Sequence, residues 1–183
     1  VAASGDTILV APGTYTGTGN YDIDLLGKRL VIMSSHGPEV TVIDCQGQGR
    51  GFLINGHDSV LKGLTITNGL ASQGGAVYSF RPSTIRDNII TGNQAVSGGG
   101  IYTVAVLATA ITSNIITNNV ATGDGGGIYH ENNGAPTDSN IICGNSAAGR
   151  GGGIYQNVSD SIRDNRICDN SANTGGGIYC SHW

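Results

Sequence analysis

Two Arg-Asp pairs, Arg86-Asp87 and Arg163-Asp164, are the residues of this chain best suited to acid–base chemistry. A carboxylate beside a guanidinium can serve as a general base, as a general acid or as part of a cation site. The pairs occupy equivalent positions of a sequence repeat, three repeats apart. If the repeats stack like neighbouring strands, at about 4.8 Å, the pairs lie roughly 14 Å apart, which is too far for one active centre. We therefore predict no catalytic residues and interpret both pairs as solvated corners.

Patterns typical of metal or cofactor sites are missing from the sequence. His36, His57, His130 and His182 have no second His or Glu at ligand spacing, so we predict isolated surface histidines. The glycine-rich run 123–127 lacks the spaced aspartates of calcium-binding repeats and the Lys-Ser/Thr of a phosphate loop. We expect neither a bound metal nor a cofactor.

Five tyrosines offer a different chemistry, because each ends a copy of the motif G-G-[AG]-[IV]-Y. Aromatic rings above glycine-cleared backbone can stack on sugar rings, with the hydroxyls as polar groups. Stacking of the tyrosines on one another, for stability alone, is the alternative. The candidate glycan contacts are Tyr78, Tyr102, Tyr129, Tyr155 and Tyr179.

The elements that position these residues follow from the spacing of the motif. The tyrosines are 24, 27, 26 and 24 residues apart, and a period of about 20 to 50 residues indicates a solenoid or a stacked array. Glycine clusters, β-branched residues and Asn turns disfavour helical repeats. About 25 residues accommodate three strands of roughly five residues with their corners. The sequence predicts an all-β parallel β-helix of about seven coils.

A second motif, I-x-x-N, keeps the same period and places asparagines in register. Stacked Asn side chains at corners can hydrogen-bond from coil to coil, so we interpret them as structural ladders. Isoleucines at other fixed positions of the repeat are predicted to point inward as a narrow core. The main ladder is Asn93, Asn119, Asn145 and Asn170, and a second is Asn88, Asn114, Asn140 and Asn165.

The chain is predicted to form a single domain, with irregular opening coils over residues 1–73 and regular coils over 74–183. The sequence G-D-T-I-L-V-A-P-G-T-Y at residues 5–15, and L-K-G-L-T-I-T-N-G at 61–69, resembles the opening of parallel β-helix proteins of the pectate-lyase-like superfamily. The later repeats resemble those of polymorphic outer-membrane protein passenger domains. The resemblance implies a right-handed coil, which is also the usual hand of parallel crossovers. We expect the sequence to be a segment of a longer chain.

Composition limits the possible partners and the compartment. A net charge of -4, with 12% charged residues, gives no basic patch for nucleic acid. No apolar run is long enough for a membrane span, so we predict no membrane insertion. Cys143 and Cys168 are 25 residues apart at identical repeat positions, where a disulfide is geometrically possible, although free buried thiols are an alternative. A secreted or cell-surface location is expected.

One outer wall of the predicted coil is unusually apolar. A flat strip of this kind often marks an association surface, although an adjoining segment could cover it instead. Open solenoid ends favour association too, since unpaired strand edges need a cover. The candidate self-association residues are Val31, Met33, Ile89, Ile115, Ile141 and Trp183.

Three functions remain open at this level. The leading one is a non-catalytic extracellular or cell-surface repeat domain for adhesion or glycan contact. The second is a fragment of a polysaccharide lyase or hydrolase, and the third is ice or surface binding through a flat Thr/Ile face.

Overall fold

The chain coils through seven successive turns, and each turn adds a strand to several parallel sheets. This computed structural model describes residues 1–104, 109–131, 136–157 and 161–181. Pairing follows the sequence period: Ile85 pairs in register with Leu61 below it and with Ile111 above it. The predicted parallel β-helix is therefore confirmed.

Sheet A opens each coil, and its strands alternate between side chains that face the core and side chains that face outward. Its inward column runs through Ile32, Leu61, Ile85 and Ile111, which are between 0% and 6% exposed. The seven strands of sheet A are Thr7–Val10, Val31–Ser34, Ser59–Lys62, Ser83–Arg86, Ala110–Thr112, Thr137–Asp138 and Ile162–Arg163.

Sheet B follows across a sharp corner and has the same alternation. In its central column Ile66, Ile90, Ile116 and Ile142 are fully buried. A 3-10 turn at Pro38–Val40 precedes its second strand. The seven strands of sheet B are Gly13–Tyr15, Thr41–Asp44, Thr65–Thr67, Ile89–Thr91, Ile115–Thr117, Ile141–Cys143 and Arg166–Cys168.

Sheet C closes each coil and carries the tyrosines on its outer side. The residue before each tyrosine points inward, so Val77, Ile101, Ile128 and Ile154 are fully buried. The seven strands of sheet C are Ile23–Asp24, Phe52–Ile54, Val77–Ser79, Ile101–Thr103, Ile128–His130, Ile154–Gln156 and Ile178–Cys180.

A fourth sheet, sheet D, lies between sheets B and C, and three strands per coil is therefore wrong for the later coils. Its strands are two to five residues long, and the sheet begins only in the third coil. The five strands of sheet D are Leu70–Gln73, Gln94–Ser97, Val120–Ala121, Ser146–Arg150 and Ser171–Thr174.

The two asparagine ladders occupy the corners on either side of sheet B. Asn119 shows the pattern: its Oδ1 accepts hydrogen bonds from the backbone N–H and the Nδ2 of Asn93, and its Nδ2 donates to Ile90 O and to Asn145 Oδ1. Asn114 repeats this arrangement at the corner between sheets A and B. These buried amides satisfy the corner backbone, which has no strand partner there.

The core is open beside the first coil. An apolar cavity of about 240 Å³ lies there, and Ile8, Ile32, Ile43 and Phe52 are among the residues that line it. From the second coil onward, isoleucines and leucines close the interior.

Candidate functional site

The tyrosine column on sheet C is the first candidate site. The tyrosines occupy successive strands in register, and four of their rings stack on one another. The centroids of Tyr102 and Tyr129 are 4.7 Å apart with an interplanar angle of 5°, and those of Tyr129 and Tyr155 are 4.5 Å apart at 15°. Tyr179 stacks next at 5.5 Å, whereas Tyr78 meets Tyr102 edge-on. Most ring faces are therefore occupied by neighbouring rings.

Two arginines lie against this ladder, one at the Tyr78 ring and one beside the Tyr155 and Tyr179 rings. The Arg50 guanidinium lies 5.2 Å from the centroid of the Tyr78 ring, and the Arg150 guanidinium lies 5.1 Å from those of Tyr155 and Tyr179. Burial raises the pKa of the Tyr129 hydroxyl to about 12. Tyr102 and Tyr155 are only 4% exposed, so the ladder offers ring edges and hydroxyls rather than open faces.

The second candidate site is a polar cleft at the corner between sheets B and D. None of its lining residues is among the site residues predicted from the sequence. It has a volume of about 340 Å³ and lies where sheet D begins, so the second coil has no sheet D strand beneath the third. Three amide side chains from three successive coils line it together with one apolar residue and three glycines. The lining residues are Gln46, Gly47, Asn68, Gly69, Leu70, Gly92 and Gln94.

Hydrogen bonds position two of the three amides. Gln46 Oε1 accepts from the backbone N–H of Gly17 at 3.0 Å, and Asn68 Nδ2 donates to Asp44 Oδ1 at 2.8 Å. The Gln94 side chain is exposed and has no hydrogen bond to any described residue. Asn68 has a positive φ of 54°, which Asn tolerates better than most residues, and this turns its side chain outward from the corner.

No titratable side chain lines the cleft. The neighbouring carboxylate, Asp44, is held by the backbone N–H of Gln46 at 2.9 Å and by the Asn68 amide. Acid–base catalysis needs a titratable group within reach of the bond being cleaved. The cleft is therefore suited to binding rather than to chemistry.

His130 corrects the expectation that all four histidines lie on the surface. His36 and His57 are exposed, but His130 is fully buried inside the coil, and His182 lies outside the described residues. The Oγ1 atoms of Thr103 and Thr137 lie 2.8 Å from His130 Nδ1 and 3.0 Å from its Nε2, respectively. Burial lowers the pKa of the imidazole to about 4.

The cysteines divide into one bonded pair and two separate thiols. Cys143 and Cys168 form a disulfide on the outer side of sheet B, where their strands pair in register and their Cα atoms are 4.7 Å apart. Cys45 is buried, and burial together with nearby Asp44 and Asp22 raises the pKa of its thiol to about 12.

The predicted association wall is divided between two sheets, which is a correction. Ile89, Ile115 and Ile141 form one outward column on sheet B, but Val31 and Met33 belong to sheet A. Val42 rather than Val31 continues the isoleucine column into the second coil, through Thr65. Trp183 lies outside the described residues.

The remaining sequence candidates keep their expected places. Arg86 and Asp87 form a corner ion pair at 2.8 Å with both side chains 41% exposed. On sheet B, Thr67, Thr91 and Thr117 form an outward row of three, which is followed by Cys143.

Comparison with known families gives a match that extends over the coils just described. The family model described as periplasmic copper-binding protein (NosD) matches residues 3–176. The chain belongs to the NosD family. No curated protein and no solved structure matches it. The family is periplasmic by description, which supports export of this NosD-family chain, and no helix among its described residues could span a bilayer.

The copper named in the NosD description does not fit the residues in the described ranges. Within these ranges no three His, Cys, Asp or Glu side chains converge on a metal position. Copper favours thiolate and imidazole ligands. Burial raises the pKa of the Cys45 thiol and so disfavours the thiolate, Cys143 is bonded to Cys168, and both His130 nitrogens lie within hydrogen-bonding distance of threonine hydroxyls.

Proposed function

We propose that this NosD-family chain is a non-catalytic exported β-helix domain, secreted or displayed at the cell surface, that contacts a glycan. The amide-lined cleft at the corner between sheets B and D carries the proposal. Sugar-binding sites combine a few placed polar groups with apolar surface, and the cleft offers Gln46, Asn68 and Gln94 around Leu70. Leu70 is 50% exposed and can cover the C–H face of a sugar ring.

The cleft replaces the tyrosine ladder as the main glycan contact. Stacking on a sugar needs an open aromatic face, whereas the rings of Tyr102, Tyr129 and Tyr155 lie against each other. The ladder instead stabilises sheet C, because offset-stacked aromatic pairs contribute about 0.5 to 1.5 kcal/mol each beyond their burial.

The residues that line the cleft also favour binding of a glycan over its cleavage. A lyase or hydrolase needs an acid or a base at the scissile bond, and the cleft is lined by amides, glycines and Leu70. The Arg86-Asp87 pair lies in sheet A and at the corner after it, on another side of the coil. A glycan bound in the cleft would therefore dissociate without being cleaved.

Affinity electrophoresis of the purified chain in gels containing soluble polysaccharides tests this function. We expect retardation by at least one polymer, and about fivefold weaker binding for Gln94→Ala, which corresponds to one hydrogen bond. Asn173→Ala removes an exposed residue on the same sheet outside the cleft and should bind like wild type. Tyr179→Ala should also retain binding.

Product analysis separates this proposal from an enzyme fragment. After incubation with the retarding polymer, we expect no new reducing ends and no unsaturated ends. Release of either product, or equal binding by wild type and Gln94→Ala, contradicts the proposal.

A further inference from the structure

We infer that the cleft takes an uncharged glycan segment and holds a pair of neighbouring hydroxyl groups, an inference that rests on the proposed glycan-contact function. The argument depends on which atom of each amide is already engaged. An amide side chain carries one donor group and one acceptor group, so fixing one of them determines what the other offers.

Gln46 offers a donor. The backbone N–H of Gly17 can only donate, so the atom that faces it at 3.0 Å must be the Gln46 carbonyl oxygen. The Nε2 group of Gln46 then remains for the cleft, and it makes no hydrogen bond to any described residue. A ligand atom at this position must accept a hydrogen bond.

Asn68 offers an acceptor. A carboxylate oxygen accepts hydrogen bonds, so the Asn68 Nδ2 is the atom that faces Asp44 Oδ1, at 2.8 Å. The Asn68 Oδ1 is left, and a ligand atom that meets it must donate a hydrogen bond. A hydroxyl group can do both, whereas a carboxylate at neutral pH cannot donate.

Successive coils present these groups in a staggered set, because Gln94 pairs in register with Leu70 and is therefore displaced around the corner from Asn68. Gln46 belongs to the second coil, Asn68 to the third and Gln94 to the fourth, at steps of about 4.8 Å. Gln94, which is bound to none of the described residues, can rotate to offer either group. Hydroxyls on neighbouring units of a sugar chain can meet such a staggered set.

Charge disfavours an acidic sugar in the same place. None of the lining residues is cationic, and the Asp44 carboxylate lies directly behind Asn68. Like charges repel more strongly next to the protein than in bulk water, because the effective dielectric constant is lower there. A uronate would meet the Asn68 oxygen and this charge without a compensating Lys or Arg.

Affinity gels containing either neutral polymers (mixed-linkage glucan, galactomannan) or anionic ones (polygalacturonate, alginate) test the inference with the full chain. We expect at least tenfold tighter binding to a neutral polymer than to either anionic one. Gln46→Glu keeps the acceptor for Gly17 but replaces the donor with a charged acceptor, so it should weaken neutral binding at least fivefold. Gln94→Lys should strengthen anionic binding, while Asn173→Lys, on the same sheet, should do so less.

The outcomes distinguish the two proposals. Tighter binding of an anionic polymer, weakened by Gln94→Ala, overturns the inference and leaves the glycan-contact function standing. Binding to neutral polymers that Gln46→Glu leaves unchanged also overturns it. If none of the four polymers is retained, the inference and the proposed function both fail.

Discussion

Asn93 donates two hydrogen bonds to a single atom of Asn119, from its backbone N–H at 3.0 Å and from its Nδ2 at 2.9 Å. The Asn119 side chain therefore links three coils, since its own Nδ2 reaches Ile90 O and Asn145 Oδ1. All of these atoms are buried at a corner where the strands cannot pair them.

Asn119→Leu should destabilise the fold by about 3 kcal/mol or more. Four side-chain hydrogen bonds are lost at about 1 kcal/mol each, and the buried donors of Asn93 are left without an acceptor. Asn173→Leu, at an exposed position of sheet D, is the control and should change stability by less than about 0.5 kcal/mol. Urea midpoints measure both, and similar midpoints would contradict the structural role of the ladder.

Gly153 and Gly177 occupy the same motif position but should respond differently to alanine. A Cβ on Gly153 would lie 2.5 Å from the carbonyl oxygen of Gly177 in the next coil, whereas on Gly177 its nearest neighbour is Ile167 Cγ2 at 3.4 Å. We expect Gly153→Ala to cost about 3 kcal/mol and Gly177→Ala less than about 1 kcal/mol. Thermal unfolding of both variants checks this, and equal losses would show that close stacking is not what the glycine motif serves.

Acidification should destabilise the fold through His130. Its folded pKa is about 4, below the value of about 6.5 for an unfolded chain, so the unfolded state binds a proton first. This contribution to stability is complete above about pH 6.5, decreases as pH falls, and is lost by about pH 4, for a total of about 3 kcal/mol. Urea unfolding from pH 7 to pH 4 measures it.

The control for this pH dependence is His130→Gln, since Gln156 occupies the next position of the same column. Whatever its absolute stability, this variant should lose less stability than wild type between pH 6.5 and pH 4. Parallel pH profiles for the two proteins would mean that other groups cause the dependence.

We expect self-association through the outward column of Ile89, Ile115 and Ile141 on sheet B, and not through sheet A. Ile115 and Ile141 are 38% and 37% exposed in one column, and we expect a dimer or larger assembly at micromolar concentration. Ile115→Lys should weaken it by placing like charges across a two-fold interface, whereas Val31→Lys, on sheet A, should not. Sedimentation velocity distinguishes them, and a wild-type monomer at high concentration would exclude the wall as an interface.

The regular coils are largely predictable from the sequence, because one motif fixes the register of the next. The asparagine ladders and the columns of Ile90 and Ile101 follow from the period alone, since every copy must bury the same face. The opening coils lack this constraint. Both Val31–Ser34 and Thr41–Asp44 alternate like strands, and pairing between coils, such as that of Ile43 with Ile66, assigns the second of them to sheet B.

The cleft and the buried histidine depend on contacts between different coils. Sheet D strands such as Val120–Ala121 are too short to show alternation, so the corner where the sheet begins has no sequence signal. The surroundings of His130 come from Thr103, 27 residues earlier, and Thr137, on another sheet. The sequence does carry one indication. Asn68, Gly92, Asn118 and Gly144 occupy the same corner position of successive repeats, and all four have positive φ.

The disulfide between Cys143 and Cys168 makes the solenoid mechanically asymmetric. The coils of a solenoid contact only their neighbours, but the sheet B strands of the sixth and seventh coils are also joined by a covalent bond. The first coil has no such link and borders the apolar cavity beside Ile8 and Phe52. Mechanical force on the solenoid should therefore separate the first and second coils before the sixth and seventh, which the disulfide holds in register.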